Sequence, residues 1–221
     1  VKRVTYAYPE GEGNVIENAC FHIRKGETVA FVGSSGAGKS TIVDILLGLL
    51  PPQQGKILVD GMDVYKNLRT WQKEIGYIPQ TIYLSDDSIR NNVAFGIEEE
   101  NIDEQAVIAA LKQAQLYDFV DTLPEGLDTC VGDRGIRLSG GQRQRIGIAR
   151  ALYHKPEILV LDEATSALDN DTEAAVMEAI DSLKGQKTII IIAHRLTTIK
   201  NADTVYEVKD GKVEQTTGVN T

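Results

Sequence analysis

The sequence predicts an α/β fold: short apolar strands alternate with helices around a mostly parallel sheet covered on both faces. Three observations carry this. "TVAFV" (28–32) runs into a glycine-rich turn and then a helix-forming stretch. "EILVLD" (157–162), "NDTEAAVMEAIDSLKG" and "KTIIIIAH" (187–194) alternate strand, helix and strand. Between Gln80 and Ile158 the pattern is helical, so the stretch from about 85 to 155 reads as an insertion into the sheet core.

In chain order, "VKRVTYAYP" and "NVIENACFHI" read as strands separated by the turn-forming "EGEG", and "KILVD" (56–60) as a later strand. "KSTIVDILLGLL" is a helix that Pro51-Pro52 is expected to stop. "DEQAVIAALKQAQL" places Val107, Ala110, Leu111 and Ala114 on one helical face, and the acidic "EEENIDE" before it reads as a solvated loop and helix start. In the helix after Asp162, Asn170 and Glu173 have capping-box spacing. Val176, Ala179, Ile180 and Leu183 form the buried stripe there, and Gly185 ends the helix. "TVYEVKDGKVEQ" is a hairpin turning at Asp210-Gly211. The opening inside a strand suggests a piece of a longer chain, and "TTGVNT" reads as a frayed end or an artificial boundary.

With 221 residues, 42% hydrophobic and 25% charged, the chain can bury a substantial core. Its net charge of −9 argues against a general electrostatic grip on nucleic acid, although Arg137, Arg143, Arg145 and Arg150 cluster locally. Cys20 and Cys130 lack paired metal spacing and read as buried, reduced thiols of a cytosolic protein. The longest apolar runs, such as "TIIIIA" (188–193), are too short to span a bilayer.

Gly33 to Ser40 in "GSSGAGKST" fits the phosphate-binding P-loop pattern. Ser34, Ser35, Gly36, Ala37, Gly38, Ser40 and Thr41 belong to a loop whose backbone N–H groups curl around phosphates at a helix N-terminus. Lys39 supplies a point charge to the β- and γ-phosphates, and the Ser40 hydroxyl can ligate Mg²⁺. Asp162 emerges at the carboxyl end of an apolar strand, where open α/β sheets place ligands, and suits Mg²⁺ through a water. Glu163 follows and could polarise an attacking water. His194 ends the next strand and could contact a γ-phosphate or orient that water. Gln80, ending "IGYIPQ", can reach metal or water from the same rim, or merely punctuate a loop. His22 and His154 read as structural or solvated.

"RLSGGQRQRIGIARAL" (137–152) holds a second candidate anion site. Ser139 and Gln142 have capping-box spacing, which alone describes a well-started helix. The capping box leaves Gly140-Gly141 unexplained, since glycine costs roughly 1 kcal/mol in a helix relative to alanine. A bulky anion approaching the backbone would explain them.

Here the chain resembles the nucleotide-binding domain of an ABC transporter. "LSGGQ" (138–142) is similar to that family's signature motif, and it joins a P-loop, "LVLDE" and a downstream histidine in the family's order. The resemblance covers nearly all of residues 1–221 as a single domain. It implies a P-loop NTPase (RecA-like) core, an antiparallel β subdomain and an inserted helical subdomain. It also implies why one chain carries two anion sites. Two copies would pack head to tail, each ATP lying between one P-loop and Ser139, Gly141 and Gln142 of the other. Tyr8 then resembles the aromatic stacked on adenine, with Val15 beside the sugar. Gln80 resembles the Q-loop residue and a metal contact, Glu163 the catalytic base, His194 the switch histidine, and "SALD" (166–169) the D-loop.

"TCVGDRG" (129–135) resembles the exporter X-loop, usually "TEVGERG", with Cys130 and Asp133 departing from it. The resemblance thus implies ATP and Mg²⁺ as cofactors, and a second nucleotide-binding domain and transmembrane domains as partners. It implies a position on the cytoplasmic side of a membrane, exporting or flipping a substrate. "GYIPQTIYLSDDSIRNNVAFG" and "LDEATSALDNDTE" look similar to flippases of lipid-linked oligosaccharides. An ATPase of DNA maintenance or translation on the same cassette would bring a coiled-coil insertion or basic arm. A small-molecule kinase would have no use for "LSGGQ".

Overall fold

A computed structural model describes residues 1–11, 13–163, 168–193 and 199–216. The chain opens with β1 (Lys2–Tyr6), β2 (Ile16–Ala19) and β3 (Thr28–Val32), followed by α1 (Lys39–Leu46). Next come β4 (Gln54–Lys56), the short pair β5 (Leu58–Val59) and β6 (Met62–Asp63), α2 (Leu68–Lys73) and β7 (Ile75–Ile78). Helices α3 (Ile89–Val93), α4 (Glu104–Gln113), α5 (Tyr117–Asp121) and α6 (Gly140–Tyr153) precede β8 (Ile158–Asp162). The chain then runs through α7 (Asn170–Asp181), β9 (Thr188–Ile192), β10 (Thr204–Lys209) and β11 (Lys212–Thr216).

The main sheet has the order β11-β10-β3-β9-β8-β7. All its pairs are parallel except the β10–β11 hairpin. Asp210 and Gly211, at φ 48° and 74°, make the hairpin turn, the left-handed pair that such two-residue connections require. A separate antiparallel sheet, β2-β1-β4, lies beside it, held to the hairpin by Glu17 N–H donating to Gly211 O at 2.8 Å.

Alternation along the strands divides the core. Val29, Phe31, Val160, Ile190 and Ile192 join α1 and β1 on one face, where Phe31 stacks on Tyr206. Ala30, Ile78, Leu159, Leu161, Ile189 and Ile191 face the other way, in one apolar cluster with α3, α4, α6 and α7. The residues of the expected faces of α4 and α7 are all buried. The inserted helices are knotted by Asn92, which is fully buried. Its amide donates to Ser85 O and Ser88 O, while Arg150 donates from Nε to Asn92 O at 2.8 Å and from Nη1 to Tyr83 O at 2.9 Å.

Several sequence expectations are corrected. Helix α1 ends at Leu46, before Pro51, because the Leu49 and Leu50 N–H groups fold back onto Asp44 O. "KILVD" divides between β4 and β5, which belong to different sheets. The cap of α7 is Asp169, whose carboxylate accepts from Thr172 N, and the helix stops at Asp181 rather than at Gly185. The thiols are free but not buried: Cys20 is exposed and Cys130 half-buried. Among the described residues no helix is long and apolar enough to cross a membrane. "TTGVNT" falls, after its first Thr, outside the described residues.

Gly76 on β7 has no room for a side chain: a Cβ there would lie 2.7 Å from Ala151 O and 2.9 Å from both Leu159 and Pro156. Gly76→Ala should therefore destabilise the chain by about 1–3 kcal/mol. Urea unfolding would show this as a lower midpoint with an unchanged slope.

Candidate active site

Parallel register brings distant segments to one edge. Ile78 pairs with Leu161, Leu161 with Ile191, and Phe31 with Ile192. The chain leaving β3, β7, β8 and β9 therefore emerges at the carboxyl edge of the sheet, where such folds bind ligands.

From β3 the chain turns through the glycine loop into α1. Gly38 is the N-cap of α1 at φ 103°, and a Cβ on it would meet Ile16 and the Val15 carbonyl. That left-handed geometry suits glycine, and glycine brings no capping side chain. The first N–H groups of α1 thus have neither an intrahelical acceptor nor a side-chain cap, which is an anion site by construction. Ser34, Ser35, Gly36 and Ser40 are exposed around it, with Ala37 half-buried.

Lys39 is only 5% exposed. Its ammonium donates to Gly33 O and Ser34 O, both at 2.9 Å. Burial pulls its pKa below the ordinary lysine value, against the opposing pull of Glu163 and Asp162. A desolvated cation held by carbonyls of the loop is placed to exchange them for phosphate oxygens. Tyr8 stands beside the loop, its hydroxyl 3.1 Å from Thr41 Oγ1 and its ring edge-on to Tyr6. Val15, half-buried, borders Gly38.

At the end of β8, Asp162 Oδ2 accepts a hydrogen bond from the Tyr77 hydroxyl at 3.2 Å, and Glu163 Oε2 accepts from Gln80 Nε2 at 3.1 Å. The Glu163 N–H donates to Ile192 O, carrying the ladder one residue past β8. Burial, and then the charge of Asp162, push the Tyr77 phenol up to about 12, so it remains a donor. Asp44, on α1, has its carboxyl raised by burial and by Asp162. Neither Tyr77 nor Asp44 was singled out from the sequence. The alternation in "IGYIPQ", which puts Ile75 and Tyr77 on one face, is the signal that could have found Tyr77.

The oxygen set fits Mg²⁺. Ser40, the Gln80 amide and the Asp162 carboxylate are hard donors with a single charge among them. Among the described residues no group of three or more His, Cys, Asp or Glu could hold a metal alone. Mg²⁺ uses such sparse sets when substrate phosphates complete its shell. His194 and the first half of "SALD" lie outside the described residues.

The second candidate site is built differently. Ser139 caps α6 with a complete capping box: Ser139 N donates to Gln142 Oε1 at 2.8 Å, and Gln142 N to Ser139 Oγ at 3.2 Å. The plain helix-start reading is therefore realised. Gly141 also has a reason within its own chain, since a Cβ there would overlap Thr172 Cγ2 on α7. What remains for an anion is the proton of the exposed Ser139 hydroxyl and the first-turn N–H groups of Gly140 and Gly141, which have no intrahelical acceptor. Among the described residues, Ser139 and Gln142 hydrogen-bond to each other and not to the phosphate loop.

These features define a nucleotide-binding ATPase of α/β type. Residues 16–166 match the family model described as ABC transporter, and the chain belongs to that family, as its ATP-binding and ATP-hydrolysing unit. It is 44% identical over 213 residues to an ATP-dependent lipid A-core flippase of Methylobacillus flagellatus, covering 96% of this chain and 36% of that protein. ABC transporter B family member 13 of Arabidopsis thaliana is 44% identical, covering 97% of this chain and 17% of its own length. A bacterial Atm1-family ABC exporter with ATP bound superposes with a TM-score of 0.85 at 39% identity, covering 97% of this chain and 37% of that one. The chain thus spans about a third of the flippase and exporter chains it matches.

The two roles of Gly141 can be separated. Gly141→Ala should lower stability by about 1–3 kcal/mol through overpacking. Adding Thr172→Ser, which removes Cγ2 and keeps the hydroxyl that bonds Asp169, should recover most of that loss in thermal unfolding. If ATP hydrolysis stays low in the restabilised double variant, Gly141 also acts on the nucleotide.

Proposed function

We propose that this chain is the motor of a membrane exporter or flippase, working on the cytoplasmic side as one ATPase domain with a helical subdomain over about 85–155. The observation that carries this is the contrast between its two helix starts. One is open and holds a buried lysine beside Asp162 and Glu163. The other offers a hydroxyl and two N–H groups with no phosphate ligand of its own. A second copy packed head to tail would join them across an ATP, and the 44% identity to a flippase over 96% of the chain supports a transport role.

In this reading Tyr8 stacks on adenine with Val15 beside the sugar. The loop from Ser34 to Thr41 wraps the phosphates, and Lys39 shifts from its carbonyl partners to the β- and γ-phosphates. Ser40, Asp162 and Gln80 would hold Mg²⁺, which when bound neutralises charge on the phosphate oxygens. Glu163, oriented by Gln80, accepts the proton of the attacking water, and His194 contacts the γ-phosphate. Ser139 of the partner subunit closes the far side with Gly141 and Gln142. Positioning and charge stabilisation supply most of the rate.

The loop "TCVGDRG" supports coupling to a membrane partner. Residues 129–131 pair with 87–89 through Ile89 N to Thr129 O and Val131 N to Asp87 O, and Cys130 Sγ donates to Asp86 Oδ1. The departure at Cys130 thus keeps the loop tied to the segment that follows Gln80. Ile136 beyond it and Tyr83 are exposed at 79% and 62%.

Glu163→Gln should lose about 10²–10⁴-fold in hydrolysis while still binding ATP, and should run as a dimer in ATP by light scattering. Lys39→Ala and Ser139→Ala should each be nearly inactive. Mixed together they should regain hydrolysis, because one intact composite site forms in each mixed pair. A mixture as inactive as its parts would refute the shared site.

A further inference from the structure

We propose that Tyr77 is a positioning residue for the metal-side carboxylate: its hydroxyl, donating to Asp162 Oδ2 at 3.2 Å, fixes the rotation of that carboxylate and so the direction of its second oxygen. This rests on the reading of Asp162 as a Mg²⁺ contact given above.

The argument begins with strand alternation. Ile75 packs in the cluster on the α1 face, and Tyr77 follows it by two, so Tyr77 lies on that face too. Ile158 and Val160 belong to the same cluster, which places Asp162 there by the same count. In the parallel register Tyr77 is opposite Val160. Asp162 is then its diagonal neighbour toward the carboxyl edge, a separation that a long aromatic side chain can span. A serine or threonine in place of Tyr77 could not reach.

The need for such a donor is chemical. The terminal torsion of aspartate is broad and weakly restrained, and Asp162 stands on the last residue of its strand. From α1 the Asp44 carboxyl acts on the same group with like charge. The Tyr77 hydroxyl opposes that like-charge push by holding Asp162 Oδ2. A phenol is a donor without charge: it holds one oxygen of Asp162 while leaving the site's negative charge available to a cation. Partners that orient a metal-side ligand in this way commonly matter several-fold or more to metal affinity.

The test uses Mn²⁺ as an electron paramagnetic resonance probe, titrated into the purified chain with a non-hydrolysable ATP analogue. Tyr77→Phe should weaken Mn²⁺ binding about 3–10-fold. Binding of a fluorescent ATP analogue in EDTA should be unchanged. In an Asp162→Ala background, where no side-chain oxygen remains for the phenol to hold, the same substitution should have no further effect on Mn²⁺, since the coupling runs through Asp162. Should Tyr77→Phe also lower thermal stability, this double-mutant comparison still decides, because a general loss of structure would weaken Mn²⁺ binding equally in both backgrounds. Unchanged Mn²⁺ affinity in Tyr77→Phe, or equal weakening in both backgrounds, would overturn the proposal while leaving Asp162 as a metal contact. If Asp162→Ala alone leaves Mn²⁺ affinity as in the parent chain, the metal reading itself fails, and the proposal with it.

Discussion

The parallel register of β7, β8, β9 and β3 is the constraint on which the rest of the molecule depends. Its hydrogen bonds hold the carboxyl ends of four strands level, although paired residues as distant in sequence as Phe31 and Ile192 are involved. Ile78, Leu161, Ile191 and Phe31 are the last paired residues or their neighbours, and the glycine loop, Gln80, Asp162 and Glu163 lie at or just beyond the ends of β3, β7 and β8. A slip of one residue in β8 would turn Asp162 from the α1 face to the opposite one. Burial on both faces prevents that slip, since Leu159 and Leu161 are needed in one cluster and Val160 in the other.

Two helix starts show how local chemistry divides the labour. Gly38 gives α1 a positive end with no side chain to quench it. Ser139 gives α6 a capping box that satisfies two backbone donors and still leaves a hydroxyl proton. The first can collect a highly charged group without help, provided a cation is close, and Lys39 is that cation. The second is a finished helix end with modest remaining capacity, suited to completing a site and not to founding one.

Much of this was legible in sequence because it is local. The strand β3 matches "TVAFV" residue for residue, the buried faces of α4 and α7 follow from spacing, and the hairpin follows from Asp210-Gly211. Features that depend on contacts between distant segments were less legible. Thr172 against Gly141 and Tyr77 against Asp162 are meetings of residues 31 and 85 positions apart, too far for a local pattern to show them. Helix ends failed for a different reason. At α1 the backbone turned back on itself before proline could act, and at α7 either of two adjacent residues, Asp169 and Asn170, could have served as the cap.

The buried knot at Asn92 has a mechanical consequence. Helix α6 is a 14-residue rod, about 21 Å long at 1.5 Å per residue, with Ser139 at one tip and Arg150 near the other. Because one guanidinium grips both the Asn92 carbonyl and the Tyr83 carbonyl, the rod cannot tilt without dragging the segment that descends from Gln80. A tug on the serine tip is therefore transmitted as displacement three residues past the amide that steadies Glu163. The helix is a strut between the capped end at Ser139 and the segment that follows Gln80.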